Sequence, residues 1–485
     1  MNGRDVERFF IGGQWVEPSG NGVEEILNPA TEEVIARAAV PTPKDAARAV
    51  EAARTAFDEG PWPRMPVAER AAALRRVREI LYERRRDLAD LLIDQVGATV
   101  ILAKTFQGRW PIDAFSKAAD WAEAFAWERE PEPATDPMPV RSLLMHEPVG
   151  VVSAITPFNF PFFVNAWKVA VATAMGNTVV LKPAPWTPLD AFEIARAVEE
   201  AEVPPGVVNV IGGGGVDVGE ELVSNPMVDM VSFTGSVPAG RSVGALAAQT
   251  IKKVQLELGG KSPLFVLDDA SPSEVVMNAV AGCMIHAGQG CGCTTRLLLP
   301  ETMHDAVVEQ LVETCRNLPV GDPRDPNTQV GPLIRERHRE RVEAYVQAGI
   351  DEGATLAAGG GRPAHLEKGF FFEPTVFTGV RNDMRIAQEE IFGPVLCVIP
   401  YATEDEGVAI ANDSDFGLGG AVVSSDRERA RAIARRLRTG YVGLGVAVPN
   451  FNGSWGGYRQ SGVGREWREG LAEYTEVKHI SWVEA

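Results

Sequence analysis

The segment Ala287-Gly288-Gln289-Gly290-Cys291-Gly292-Cys293 places a thiol among residues too small to shield it. It follows an apolar helix-like run and precedes the strand-like Arg296-Leu297-Leu298-Leu299. A cysteine attacks carbon as thiolate, a form favoured by helix termini and nearby donors. A lone free cysteine is more often packing, so the other polar clusters decide. In Thr156-Pro157-Phe158-Asn159-Phe160-Pro161, an amide stands at the carboxyl end of a strand-like run, where open α/β sheets bind ligands. Such an amide can donate to a developing oxyanion; alone it reads equally as a turn. In Glu257-Leu258-Gly259-Gly260-Lys261 a carboxylate beside two glycines can swing, as a water-activating base must, or can merely cap a helix. Phe233-Thr234-Gly235-Ser236 opens a helix-like stretch, where free N–H groups and a hydroxyl could meet a pyrophosphate. Neither this motif nor the glycine run 212–215 has the Gly-x-Gly-x-x-Gly spacing.

These groups need a frame. Strand-like runs at 150–155, 177–181, 207–211, 230–233 and 253–256 alternate with helix-like stretches at 162–175, 188–202, 216–224 and 237–249. Short apolar strands alternating with amphipathic helices predict a parallel sheet covered on both faces. A second series comes after it, with strands near 264–267, 296–299 and 395–399 and helices near 272–287, 302–317 and 427–438. The expected fold class is therefore α/β, with two α/β units in series. The first 126 residues read as mostly helical, over 43–60 and 66–96. Four prolines in 128–140 break any helix, and 140–147 reads as an exposed strand, either a linker or, as expected here, an arm pairing with another chain's sheet edge.

At 485 residues the chain exceeds the roughly 250–300 at which single cores split. A net charge of −19 argues against nucleic acid or an anionic membrane as partner. Five cysteines predict reduced thiols in a cytoplasmic compartment, and Cys291 with Cys293 cannot alone close a metal site, so no metal is expected. The first residues are acidic without an apolar run, so no secretory leader is expected. The longest apolar stretch, 150–175, is broken by Pro157, Asn159, Pro161, Asn165 and Lys168, so no membrane span is expected.

Together these motifs resemble the aldehyde dehydrogenase superfamily. The likeness runs from Phe10-Ile11-Gly12-Gly13-Gln14-Trp15 and Asn28-Pro29-Ala30-Thr31 to Gly456-Gly457-Tyr458-Arg459-Gln460-Ser461-Gly462 and Tyr474-Thr475-Glu476-Val477-Lys478. It implies a Rossmann-like dinucleotide-binding domain (1–126 and 149–259), a catalytic domain (260–450) and a small β oligomerisation arm (127–148 and 471–485), in a homodimer or homotetramer. It implies that Cys291, not Cys293, attacks the aldehyde. Asn159 and the Cys291 N–H would hold the oxyanion, hydride would pass to nicotinamide, and Glu257 would activate water against the thioester. Lys168 and Glu466 match residues linked to proton transfer. For NAD or NADP the resemblance implies Lys182 at the adenosine ribose, Gly235 and Ser236 at the pyrophosphate, and Glu390 and Phe392 at the nicotinamide ribose. Ile155, Thr156, Pro157, Phe158, Gly215, Phe233 and Leu258 would line the same groove.

The chain departs from the family in places. The usual Lys-Pro-x-Glu is here Lys182-Pro183-Ala184-Pro185, which removes the carboxylate that would repel a 2′-phosphate and leaves NADP open beside NAD. Cys293 is expected to line the pocket, with a disulfide to Cys291 as the alternative. Trp455, with Phe160, Val164 and Trp167, is expected at the substrate mouth or in the core. These positions carry no arginine, so an uncharged apolar or aromatic aldehyde is expected. An acylating relative would pass the acyl group to coenzyme A; Glu257 favours hydrolysis. A non-catalytic protein on the same fold is the third reading.

Overall fold

The computed structural model describes residues 4–445 and 448–483. Residues 1–3, 446–447 and 484–485, which fall within the expected domain and arm ranges, lie outside the described residues.

Five strands run parallel at the centre of an eight-stranded sheet: Lys253–Glu257, Met230–Thr234, Val151–Ile155, Thr178–Lys182 and Val208–Val210. They lie almost wholly buried, as a sheet covered on both faces requires. Each boundary falls within two residues of the sequence expectation. Antiparallel strands close the two ends, Gly462–Val463 on one side and the hairpin Phe9–Ile11 with Gln14–Val16 on the other. That hairpin, with a second formed by Val23–Leu27 and Val34–Ala39, adds strands ahead of residue 40 that were not expected, while the helices expected over 43–60 and 66–96 do form. Three-residue strands are too short for a period-2 pattern to declare itself. Within 66–96 the structure forms two helices, Val67–Glu83 and Arg85–Val96.

A seven-stranded sheet holds Pro263–Val266, Arg296–Pro300 and Val395–Tyr401 in parallel at its centre, over a separate hydrophobic core. Its strands Thr355–Ala358, Thr375–Thr378, Ala421–Val423 and Gly443–Leu444 add to those expected. The helix expected over 272–287 ends at Met284, because His286 (φ 50°, ψ 40°) and Ala287 (φ 53°, ψ 35°) turn left-handed. The helix expected over 427–438 stops at Ala434. A three-stranded sheet pairs Val140–Pro148 with Thr475–Val483 over nine residues and with the short strand Glu128–Arg129. No helix among the described residues is long and apolar enough to cross a membrane.

The helix Pro161–Ala174 links the sheet to the polar residues of the cleft. It opens on a proline at its first position, where the missing N–H costs nothing. Nearly all its residues are buried, because it is packed between the large sheet and the helix Ala114–Glu123.

Candidate active site

Strand register sets the first polar cluster. On adjacent parallel strands Ser232 pairs with Gln255 and Thr234 with Glu257. The two-residue period of a strand puts Gln255 and Glu257 on one face. Lys168, from the helix Pro161–Ala174, meets this face: its Nζ donates to Ser232 Oγ at 2.8 Å and to Glu466 Oε1 at 2.7 Å. Glu466 is fixed in turn by an antiparallel bridge to Trp455, its N–H donating to the Trp455 carbonyl at 2.7 Å. Glu257 is 3% exposed, and neither carboxyl oxygen has a hydrogen-bond partner among the described residues.

The cysteine turn is held by Gln289, which is fully buried. Its amide donates to the His286 and Pro332 carbonyls and accepts from the Ile334 N–H at 2.9 Å. Two consecutive left-handed residues other than glycine, His286 and Ala287, cost roughly 1–2 kcal/mol each; these bonds hold the loop in that form. Asn159 Nδ2 donates to the Gln289 carbonyl at 2.8 Å, which brings the amide to the segment carrying Cys291. Gly260 lets the backbone that follows Glu257 close on the cysteine turn, since a Cβ there would stand 2.5 Å from the Cys291 carbonyl oxygen. Cys293 is buried against Gly290, and burial pushes its thiol up to about 12.

Charge in the cleft differs from the sequence expectation at one point. Desolvation, with the carboxylates of Glu390 and Glu257, pushes the Cys291 thiol up, so its setting does not favour thiolate. Glu257 is pushed well above the ordinary carboxyl range by burial and by Glu466, while Lys168 and Arg465 oppose the shift. A carboxyl so raised holds its proton to higher pH and is a stronger base once it has lost it.

The residues expected at the cofactor stand at or after the carboxyl ends of strands of the large sheet, with Glu390 and Phe392 packed against them. Exposed Gly215 and Ser236 each cap the start of a helix, Val216–Ser224 and Val237–Ala248. Lys182 is buried; its Nζ donates to the Pro183 carbonyl at 3.3 Å, and burial lowers its pKa to about 8. Thr156 N–H donates to the Lys182 carbonyl, tying the 155–158 segment to that strand. Phe158 meets Phe392 edge to face at 5.8 Å, and it also packs against His338 and Trp186. Glu390 Oε1 accepts from the Gly260 N–H at 2.9 Å, and burial raises its pKa to about 7. Gly235 N–H donates to the Glu257 carbonyl, Phe233 packs over Gly235, and Leu258 sits against Gly240. These residues fit a dinucleotide: two helix starts for the diphosphate, and a buried ammonium with donor capacity to spare for a ribose.

Beside the cysteine turn stands an aromatic wall. A Cβ on Gly292 would lie 3.0 Å from the Trp455 ring, and one on Gly290 3.7 Å from Phe160. Trp455 packs on Trp467 at 5.4 Å and on Tyr441 at 5.9 Å. Trp167 is buried deeper, stacked between Trp121 and Phe451. Val164 is half-buried one helical turn from both Phe160 and Trp167. Sequence reasoning missed Phe106, Phe163, Phe451 and Trp467, which complete the wall. Phe163 was legible, lying four residues before Trp167 on the same helix; Trp467, at φ 64°, has no local signal.

Known proteins place this arrangement. The model of the aldehyde dehydrogenase family matches residues 15–480. Betaine aldehyde dehydrogenase of Bacillus subtilis is 40% identical over 479 residues, covering 98% of this chain and 97% of that one. A 3-succinoylsemialdehyde-pyridine dehydrogenase of a Pseudomonas species is 41% identical over 480 residues, 98% of each chain. The crystal structure of a Mycobacterium tuberculosis aldehyde dehydrogenase complexed with NAD+ superposes with a TM-score of 0.94 at 43% identity, covering 98% of both chains. A mutant of Pseudomonas syringae aldehyde dehydrogenase C complexed with NAD+ and octanal gives 0.94 at 40% identity, over 98% of this chain and 96% of that one. Likeness of sequence and of backbone along almost the entire length leaves one conclusion: this chain belongs to the aldehyde dehydrogenase family.

Proposed function

We propose that the protein oxidises an aldehyde to a carboxylic acid with NAD(P), by covalent capture on Cys291. The observation that carries this reading is the proximity of three groups: Asn159 donates to Gln289 in the cysteine turn, and the unpartnered Glu257 carboxyl is near enough to Cys291 to act on its charge. Cys291 sulfur, its proton released to water, bonds to the carbonyl carbon, and the carbonyl electron pair moves to oxygen. The second Asn159 amide hydrogen and the Cys291 N–H stabilise that oxyanion. When bound, the nicotinamide supplies the acceptor for the hydride that leaves the captured carbon. The thioester left on Cys291 is attacked by water, whose proton goes to Glu257 as the C–S bond breaks. Glu257 as base favours water over coenzyme A as acceptor of the acyl group.

Lys182, Gly215, Ser236, Glu390 and Phe392 would hold the cofactor. NAD stands ahead, since the solved relatives named above hold NAD+. Pro185 leaves NADP open, because no carboxylate stands there to repel a 2′-phosphate. The large sheet with its helices is assigned as the dinucleotide-binding domain (1–126 and 149–259), 260–450 as the catalytic domain, and 127–148 with 471–485 as the oligomerisation arm. Five free cysteines support a reducing, cytoplasmic compartment.

The wall of Phe160, Trp167, Phe451 and Trp455 supports an uncharged apolar or aromatic aldehyde. A second reading is an aldehyde bearing a quaternary ammonium, since aromatic faces also hold such cations and the Bacillus subtilis relative is a betaine aldehyde dehydrogenase. Steady-state rates with benzaldehyde, octanal, betaine aldehyde and succinic semialdehyde, each with NAD and NADP, decide between them. The expected order places benzaldehyde or octanal first in kcat/KM. Betaine aldehyde leading by about tenfold selects the second reading, and no turnover of any aldehyde overturns both.

A further inference from the structure

Behind the Lys168–Glu466 pair stands a second layer of buried polar side chains. Ser232 and Gln255 face each other in register on adjacent strands, both fully buried. Ser232 Oγ donates to Gln255 Oε1 at 2.7 Å, and the Tyr474 hydroxyl donates to the same oxygen at 3.0 Å. The Ser232 and Tyr474 oxygens lie 3.2 Å apart. The amide of Gln255 is not free to turn, because its Nε2 donates to the Arg465 carbonyl at 2.5 Å, next to Glu466 in the chain. Its Oε1 therefore faces Ser232 and can only accept. Ser232 has one proton and gives it to Gln255, so it presents a lone pair to Lys168. The hydrogen-bond chain has a fixed polarity that ends on Lys168 as a donor.

We propose that Ser232, oriented by Gln255 and Tyr474, is a positioning residue for the general base: it holds Lys168 as a donor to Glu466, so that a fixed positive charge stands behind Glu257 when water is activated. The inference rests on the reading of Glu257 as that base. The groups acting on Glu257 are Glu466 and Glu473, which disfavour its anion, and Lys168 and Arg465, which favour it. Taking the Ser232 acceptor from a buried ammonium weakens the cation and leaves the two acids the larger influence. Glu257 then keeps its proton to a higher pH, and the acid limb of kcat moves upward.

The test is the pH profile of kcat and of aldehyde KM for the wild type, Ser232→Ala and Gln255→Met, with Glu257→Gln alongside. The second variant removes the acceptor that orients Ser232, and it decides the matter independently if Ser232→Ala fails to fold. A hydrogen bond to a charged group predicts an upward move of the acid limb by about half to one pH unit, with a roughly three- to tenfold loss of kcat along that limb. That loss is expected to recover at high pH, with aldehyde KM unchanged. A folded variant whose acid limb coincides with the wild type, or whose kcat falls equally at every pH, overturns the proposal. If Glu257→Gln releases acid at the wild-type rate, the reading of the base fails and the inference goes with it. If Glu257→Gln stalls while both variants keep the wild-type limb, only the positioning role fails.

Discussion

Cys291 sits where burial and two carboxylates oppose its ionisation. A neutral resting thiol protects the residue from adventitious electrophiles and oxidation, since reactivity follows the thiolate fraction. The free enzyme should therefore be alkylated slowly by iodoacetamide at pH 7, with a Cys291 rate constant that rises about tenfold per unit of pH up to 10. A plateau reached below pH 8, read by peptide mass spectrometry, would show that the thiol is acidic and that the carboxylates do not govern it. The sequence could point to Cys291 through its glycine setting, yet not to this charge balance. Glu390 is distant in the chain, and its influence exists only once Gly260 donates to its carboxylate.

At the scale of elements, the helix Pro161–Ala174 and the strand pair Met230–Thr234 and Lys253–Glu257 carry the polar cluster, while the 451–467 segment brings aromatic surface and Glu466 together through the Trp455 bridge. The parallel strands were legible because buried strands read as short apolar runs. Ser232 and Gln255 were legible in part: a polar residue inside such a run must find a partner, though which partner depends on register. The hairpin at Phe9–Ile11 was not legible, its three-residue strands being too short for periodicity, and the strands Val23–Leu27 and Val34–Ala39 lack a clean apolar–polar alternation. Trp455 tests the element's role in selectivity. Trp455→Ala should raise KM for benzaldehyde by about tenfold, on the order of one lost aromatic contact, while acetaldehyde changes less than about threefold. Equal losses on both aldehydes would place Trp455 in support of Glu466 and not in the substrate wall.

At the scale of the whole molecule, the proposed oligomerisation arm is a small separate sheet. Thr475–Val483 is the edge of its sheet, pairing with Val140–Pro148 on one side, and exposes Ile480, Trp482 and Val483. An edge of this length with apolar side chains invites a second chain. The prolines of 128–140 marked where helix stops ahead of the strand Val140–Pro148, whereas the pairing of that strand with Thr475–Val483 needed the fold to bring together residues as far apart as His146 and Thr475, 329 positions along the chain. Ile480→Ser with Trp482→Ser should lower the oligomeric state by sedimentation velocity while the monomer keeps its helical circular dichroism. An unchanged sedimentation coefficient would remove the arm as the assembly surface. Tyr474, which ends the turn just before that strand, hydrogen-bonds to Gln255, so the strand starts directly beside the buried polar layer.

Covalent capture at Cys291 and release by Glu257 are the two steps on which the proposed activity depends. Their most direct measurement is rapid quench of Glu257→Gln with benzaldehyde and NAD, followed by mass spectrometry of the Cys291 peptide. The expected result is one equivalent of acyl mass on Cys291, one equivalent of NADH, and slow release of acid. A peptide of unmodified mass at every time point, with acid accumulating at the wild-type rate, would contradict it.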